Sequence, residues 1–113
     1  MTKDKRKLVL GAFLTRYGHH PGAWRQPETK VGKGPDFEAW LHLARTAERG
    51  KFDTVFLADF VGMGGGDLSG YAKGAGFHGF EPLSLVSALA VATQNIGLVA
   101  TVNTNFSHPY TLA

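Results

Sequence analysis

Along the chain, short continuous apolar runs alternate with segments in which apolar residues recur every three or four positions, and glycine- and proline-rich stretches separate the two kinds. Lys7 to Leu14 is an apolar run with no helical period, followed by a polar, glycine-containing segment, so it reads as a buried strand. Arg16 to Pro35 holds three prolines and four glycines and predicts a long loop. Asp36 then offers an N-cap side chain. Trp40, Leu43, Ala44 and Ala47 recur at helical spacing while Glu38, His42, Arg45 and Arg49 mark the opposite face, which predicts a helix from Phe37 to Arg49 that ends at Gly50.

The pattern then repeats. Phe52 to Ala58 is β-branched and aromatic and predicts a second, largely buried strand, with Asp59 at its end. Gly62 to Gly79 holds eight of the fifteen glycines, with Asp67, Ser69 and Lys73 among them, and predicts a second long loop. Glu81-Pro82 opens a helix, because proline fits the first turn where its missing N–H would have had no partner. Its predicted apolar stripe is Leu83, Val86, Leu89, Ala90 and Thr93, and Asn95 is a natural stop. Ile96 to Val102 is the third strand, Asn103 to Pro109 a polar loop, and Tyr110 to Ala113 starts a further helix.

Strand, helix, strand, helix, strand, with connections long enough for right-handed crossovers, predicts a parallel α/β sheet covered by helices. A small flavodoxin-like sheet and a (β/α)8 barrel both begin this way, and both place ligands at the carboxyl ends of strands. Three strands cannot close a barrel, and the chain stops four residues after Pro109 without a capping motif, so residues 1–113 read as a single partial domain.

Composition narrows the function. At 113 residues the chain is sized for one domain. The net charge of +3 comes mostly from Lys3, Lys5, Arg6 and Lys7, a basic tail over residues 1–7 with no basic, aromatic-interleaved face after it, which disfavours nucleic-acid binding. The absence of cysteine excludes disulfides, thiolate nucleophiles and thiolate metal sites, and is compatible with a cytoplasmic location. No secretory signal is expected, since Leu8 to Leu14 is short and no small-residue cleavage site follows. No membrane span is expected either: Leu83 to Ala92 falls far below the roughly 20 apolar residues that a bilayer requires.

Several residues invite chemistry. Gly62 to Gly66 is glycine-rich, but no helix follows directly as a dinucleotide fingerprint demands, and Lys73-Gly74 reverses the P-loop order, so a flexible lid is the better reading. His19 and His20 are adjacent, point to opposite sides of an extended segment and lack a third ligand nearby, so no metal site is expected. They suit the polar lining of a pocket beside Trp24, with Arg25 available for an anion; Trp24 serves equally well as cover for the sheet rim. Asp59 ends a buried strand, where a carboxylate either caps a turn or faces a cleft. Thr101, Asn103 and Thr104 lie at the same level at the end of strand three. Ser69, Ser84, Ser87 and Ser107 lack a nucleophile-elbow context, and Glu81, the one candidate partner for Asp59 in a carboxylate pair, is better explained as a helix start.

Taken together, Gly11-Ala-Phe-Leu14, Gly18-His-His-Pro-Gly-Ala-Trp-Arg25, Ala44 to Asp59, Phe80-Glu-Pro-Leu83, Ile96 to Thr101 and Pro109-Tyr110 resemble the start of bacterial-luciferase-like flavin-dependent monooxygenases. The resemblance is to the branch containing nitrilotriacetate monooxygenase component A, dibenzothiophene-sulfone monooxygenase and pristinamycin synthase. It implies the N-terminal βαβαβ portion of a (β/α)8 TIM barrel that holds reduced FMN at the carboxyl ends of its strands. It also implies a flavin reductase as partner, O2 and a small organic molecule as substrates, and a homo-oligomer. Asp59 with its neighbour Ala58, and Thr104 or Asn103, match the family's flavin-binding positions, while Phe13, His20 and Trp24 match the loop that walls the substrate cavity. Family proteins are several times longer, and their later strands complete the flavin site, so this chain alone is expected to be incomplete and inactive. The competing readings are a deazaflavin-dependent oxidoreductase of the same superfamily and a small non-catalytic α/β flavin- or ligand-binding module.

Overall fold

A computed structural model describes residues 7–20, 22–29, 35–60 and 79–112. Three short strands, β1 (Gly11–Phe13), β2 (Thr54–Leu57) and β3 (Gly97–Ala100), form one parallel sheet in the order β1-β2-β3. Helix α1 (Phe37–Arg49) connects β1 to β2, α2 (Pro82–Ala90) connects β2 to β3, and a short α3 (Pro109–Leu112) follows. The predicted order of elements and the parallel α/β arrangement are therefore present. Most of the glycine-rich segment, including Gly62 to Gly66, Asp67, Ser69 and Lys73, lies outside the described residues, as do Lys3, Lys5 and Arg6 of the basic tail.

Register explains two glycines. Gly11 and Gly97 both stand opposite Thr54, one on each side. A Cβ at Gly97 would lie 2.9 Å from Thr54 Cγ2 and 3.1 Å from the Asp53 carbonyl, and one at Gly11 would lie 3.1 Å from Thr54 Oγ1. The strands can approach at this row because the central β-branched residue is flanked by positions with no side chain.

Both helices cover the same face of the sheet. Leu41 and Ala44 of α1 meet Leu85 and Leu89 of α2 over Leu57, and Ala47 packs with Val55 and Ile96 beside them. The expected stripes hold at Ala44 and Ala47 of α1 and at Leu89 of α2, but Leu41 rather than Leu43 is buried on α1, and Pro82 and Leu85 are buried on α2 while Ala90 is exposed and Leu83 half-buried. In α2 seven of nine residues are apolar, so periodicity does not select a face; contact with the sheet does. The expectation of a buried first strand is also corrected. Leu8 and Val9 are 88% and 76% exposed, because ladder pairing begins only at Gly11 and β1 has a neighbour on one side only. On the face away from the helices, Phe13 stacks edge-on against Phe56 at 5.1 Å, yet Phe13 is 47% and Val99 42% exposed.

Carboxylates secure the turns. Asp36 caps α1 through Ala39 N–H, and Glu81 caps α2 through the N–H groups of Leu83 and Ser84, as the sequence led us to expect. Asp53 accepts from Leu10 N–H at 2.8 Å, fixing the entry to β1. Glu48, near the end of α1, receives three backbone N–H groups on one oxygen, from Gln94 (2.8 Å), Asn95 (2.6 Å) and Ile96 (3.2 Å), which clamps the turn leading into β3. The Asn95 N–H foremost, then that of Gln94, holds the Glu48 carboxyl below the ordinary glutamate range despite some desolvation.

Two outcomes follow. Gly97→Ala should destabilise the protein by about 1–3 kcal/mol in denaturant titration, since overpacking against backbone has little room to relax. Because the Glu48 carboxyl titrates lower when folded than when unfolded, its contribution is present above the ordinary glutamate pKa and is lost as pH falls through the lowered value. Glu48→Gln should accordingly flatten the acid limb of a stability–pH profile, read as denaturation midpoints at a series of pH values.

Candidate active site

All three strands run in one direction, so the segments after Phe13, Leu57 and Ala100 leave the sheet at one rim. Leu14 N–H donates to Phe56 O at 3.0 Å and Thr101 N–H to Leu57 O at 2.9 Å, so the chains stay level as they leave. Among the described residues two adjoining grooves hold residues expected from the sequence, and a third, of about 940 Å³, shares Phe13 to His19 with the first and is bordered by Glu28, Asp36 and Glu38. The first, about 380 Å³, is lined by Phe13, His20, Trp24 and Ala58 together with Thr15 to His19, Trp40 and Phe60. The second, about 530 Å³, is lined by Asp59 and Ala58 with Leu57, Phe80, Glu81, Pro82 and Leu85. Trp40, Ala58, Phe60 and Gly79 border both.

The residues expected from the sequence are thus divided between two adjoining spaces. Phe13, His20 and Trp24 share the first groove, Asp59 lies in the second, and Ala58 belongs to both. Asn103 and Thr104 border neither. Asn103 caps its own turn, Oδ1 accepting from Asn105 N–H at 2.9 Å and its carbonyl from Phe106 and Ser107, and Thr104 is exposed beside it.

Asp59 differs from the other carboxylates. Asp36, Glu48, Asp53 and Glu81 all accept backbone N–H groups, and Glu28 and Glu38 are exposed. Asp59 is half-buried and accepts no hydrogen bond among the described residues, which favours the cleft reading over the turn-capping one. Three polar atoms of residues that line the first groove, Thr15 Oγ1, Tyr17 OH and Trp40 Nε1, are buried without a hydrogen-bond partner among the described residues. The sequence pattern pointed to none of these as site residues. Trp40 read as core because of its helical spacing, and Thr15 and Tyr17 sit in a loop with no periodicity.

The first loop is held by local bonds. His19 Nε2 donates to the Phe13 carbonyl at 3.1 Å, with its ring edge-on to Phe13. Gly22 N–H donates to His20 Nδ1 at 3.0 Å, and Thr29 Oγ1 donates to Ala23 O, closing a compact turn around the 3-10 segment Ala23–Arg25 that carries Trp24. Arg25 lies over the Trp24 ring at 5.0 Å. The Arg16 side chain is only 8% exposed and meets Asp36 at 3.8 Å, which ties the start of the loop to the cap of α1. Among the described residues no group of three or more His, Asp or Glu is placed to hold a metal ion, and no helix is long and apolar enough to cross a membrane.

Comparison with known proteins bears on this rim. The sequence pattern of luciferase-like monooxygenases matches residues 15–113. The chain is 40% identical over its whole length to N-acetyl-S-(2-succino)cysteine monooxygenase of Bacillus subtilis (strain 168), covering 24% of that protein. It is 42% identical to a pristinamycin IIA synthase subunit of Streptomyces pristinaespiralis over 87% of this chain and 23% of that one. With nitrilotriacetate monooxygenase component A of Aminobacter aminovorans it shares 36% identity over 96% of this chain and 25% of the relative. The chain therefore spans about a quarter of the length of these relatives.

Asp36 serves both the α1 cap and Arg16, so Asp36→Ala should lower stability by about 1–2 kcal/mol. Asp36→Asn, which keeps a capping oxygen, should cost less; equal losses in denaturant titration would show that the contact with Arg16 rather than the cap dominates.

Proposed function

The chain belongs to the luciferase-like monooxygenase family, and on that premise we propose that it forms the N-terminal part of a two-component, reduced-FMN-dependent monooxygenase. In this reading the strands continue into a (β/α)8 barrel. The sheet supports it: parallel sheets are covered on both faces, and here the helices cover one while Phe13 and Val99 remain open on the other. That face becomes the barrel interior.

The observation that carries the proposal is Asp59, half-buried at the rim with no protein donor among the described residues. Beside it Leu57, Phe60, Phe80 and Leu85 supply an apolar wall. This set fits a flat heteroaromatic ring that bears a hydrogen-bond donor, as a reduced isoalloxazine does. The bound flavin supplies the electrons and activates O2, so that one oxygen atom enters the substrate and the other leaves as water. The chain's own work is then positional. Asp59 accepts a hydrogen bond from the ring, Ala58 allows close approach by its small side chain, and Phe60 and Trp40 exclude water between the two grooves. Phe13, His20 and Trp24 wall the space for substrate next to it. Asn103 and Thr104, at the same rim level after β3, complete the flavin's surroundings once the remaining strands are in place. A separate flavin reductase delivers the reduced cofactor, and the full protein self-associates in the cytoplasm. The relatives are named for acting on N-acetyl-S-(2-succino)cysteine and on nitrilotriacetate, and a small organic substrate is proposed here likewise.

The test uses the full protein. Anaerobic titration should show binding of reduced FMN, and admission of 18O2 with a turned-over substrate should place one labelled atom in product and one in water. Asp59→Ala should weaken reduced-FMN binding by about 1–3 kcal/mol; an unchanged affinity would remove Asp59 from the flavin site.

A further inference from the structure

His19 and His20 hold the first loop by opposite hydrogen-bonding roles. His19 Nε2 donates to the Phe13 carbonyl at 3.1 Å, a bond that a neutral and a protonated imidazole can both make. His20 Nδ1 accepts from Gly22 N–H at 3.0 Å, which requires a lone pair on that nitrogen and therefore a neutral ring with its proton on Nε2. The ring rests on the backbone at this point: a Cβ at Gly22 would lie 3.3 Å from His20 Cε1 and 3.4 Å from Nδ1. Gly22 is the N-cap of the 3-10 segment Ala23–Arg25. Ala23 N–H donates to the His20 carbonyl at 2.9 Å at the start of this turn, and Thr29 Oγ1 donates to Ala23 O at its far side. The turn places Trp24 on the wall of the first groove, with Arg25 over the ring at 5.0 Å. Of the two side chains that bond its backbone, threonine does not titrate and histidine does.

Protonating Nδ1 turns the acceptor into a second donor facing Gly22 N–H, and that half-buried amide loses its partner. Among the described residues that line the groove, no carboxylate offsets the change. The titratable and charged side chains there are Arg16, Tyr17 and His19, all from the same loop; α1 contributes Trp40, and the segment after β2 contributes Ala58 and Phe60, none of them ionisable. Glu28, Asp36 and Glu38 border the third groove, which His20 does not line, and Arg25 on the turn itself has the sign of an imidazolium. We propose that His20 is a positioning residue acting through the backbone: its neutral imidazole seats the turn that presents Trp24 to the substrate space, and its protonation unseats that turn. That the space is the substrate's rests on the reading of the neighbouring groove as the flavin's; the link between His20 and the turn stands apart from it.

The experiment is hydrogen–deuterium exchange of the full protein at about pH 8 and about pH 5.5, on either side of histidine titration. Exchange is read at the bonded amides of Gly22, Ala23, Arg25 and Gln26 and corrected for the intrinsic pH dependence of amide exchange. Acidification should raise the corrected exchange by about five-fold, as expected for the loss of one hydrogen bond. His20→Asn, whose Oδ1 can accept from the amide two residues on but does not titrate, should stay within about two-fold of the parent's alkaline value under both conditions. His20→Leu, with no acceptor, should exchange under both conditions as the acidified parent does. Should His20→Leu fail to fold, the contrast between the parent and His20→Asn decides. Exchange in the parent that is indifferent to pH, a pH dependence that survives in His20→Asn or His20→Leu, or a turn as protected in His20→Leu as in the alkaline parent would overturn the proposal. Anaerobic titration of the same protein with reduced FMN reads the flavin site separately. A protein that shows the exchange pattern without binding reduced FMN removes the flavin reading and leaves His20 as the seat of the turn; one that binds reduced FMN with a turn indifferent to pH does the reverse.

Discussion

β2 pairs in parallel with a neighbour on each side, and the rest of the molecule follows from that arrangement. Parallel neighbours cannot be joined by a hairpin, so each connection must cross back along the sheet, and here each does so through a helix. Both crossings leave their helix on the same face, where Leu41, Ala44, Leu85 and Leu89 close over Leu57. The same geometry brings the ends of all three strands to one rim. The described polar and aromatic residues that follow the strands, Thr15 to His20 and Asp59 with Phe60, therefore gather there.

The division of labour among carboxylates shows how a small sheet of this kind separates structure from chemistry. At the helix ends and in the turns, backbone N–H groups lack intrahelical partners, and Asp36, Glu48, Asp53 and Glu81 supply them. Glu48 is the strongest instance, one oxygen gathering three successive N–H groups of the turn that feeds β3. Asp59, of the same chemistry but at the opposite end of β2, is half-buried without such an arrangement among the described residues. A carboxylate in that position is suited to a ligand in a way that the capping residues are not.

Much of this was legible in the amino-acid order. The Asp36 cap and the span of α1 follow from side-chain chemistry and period, as does the opening of α2 at Glu81-Pro82. The motif around His19, His20 and Trp24 identified the loop that borders the first groove. Other features left no mark. The clamp formed by Glu48 joins residues some 46 to 48 positions apart, and an exposed-looking glutamate on a helix gives no local sign of it. On α1 the expected stripe holds at Ala44 and Ala47, whereas on α2, a nearly all-apolar helix with no periodic minimum to read, only Leu89 of the expected stripe is buried.

Local order of residues, then, determined the kinds of element, their sequence and hence the parallel sheet, because period, caps and breakers act over a few residues and crossover rules act on the order alone. Tertiary structure decided the rest: that Gly11 and Gly97 flank Thr54, that Asp59 lies in a separate groove from Phe13, His20 and Trp24, and that Trp40 forms the wall between them with its N–H unpaired among the described residues. These are contacts between residues distant in the chain, set by register and packing. No short window of sequence contains the information for them.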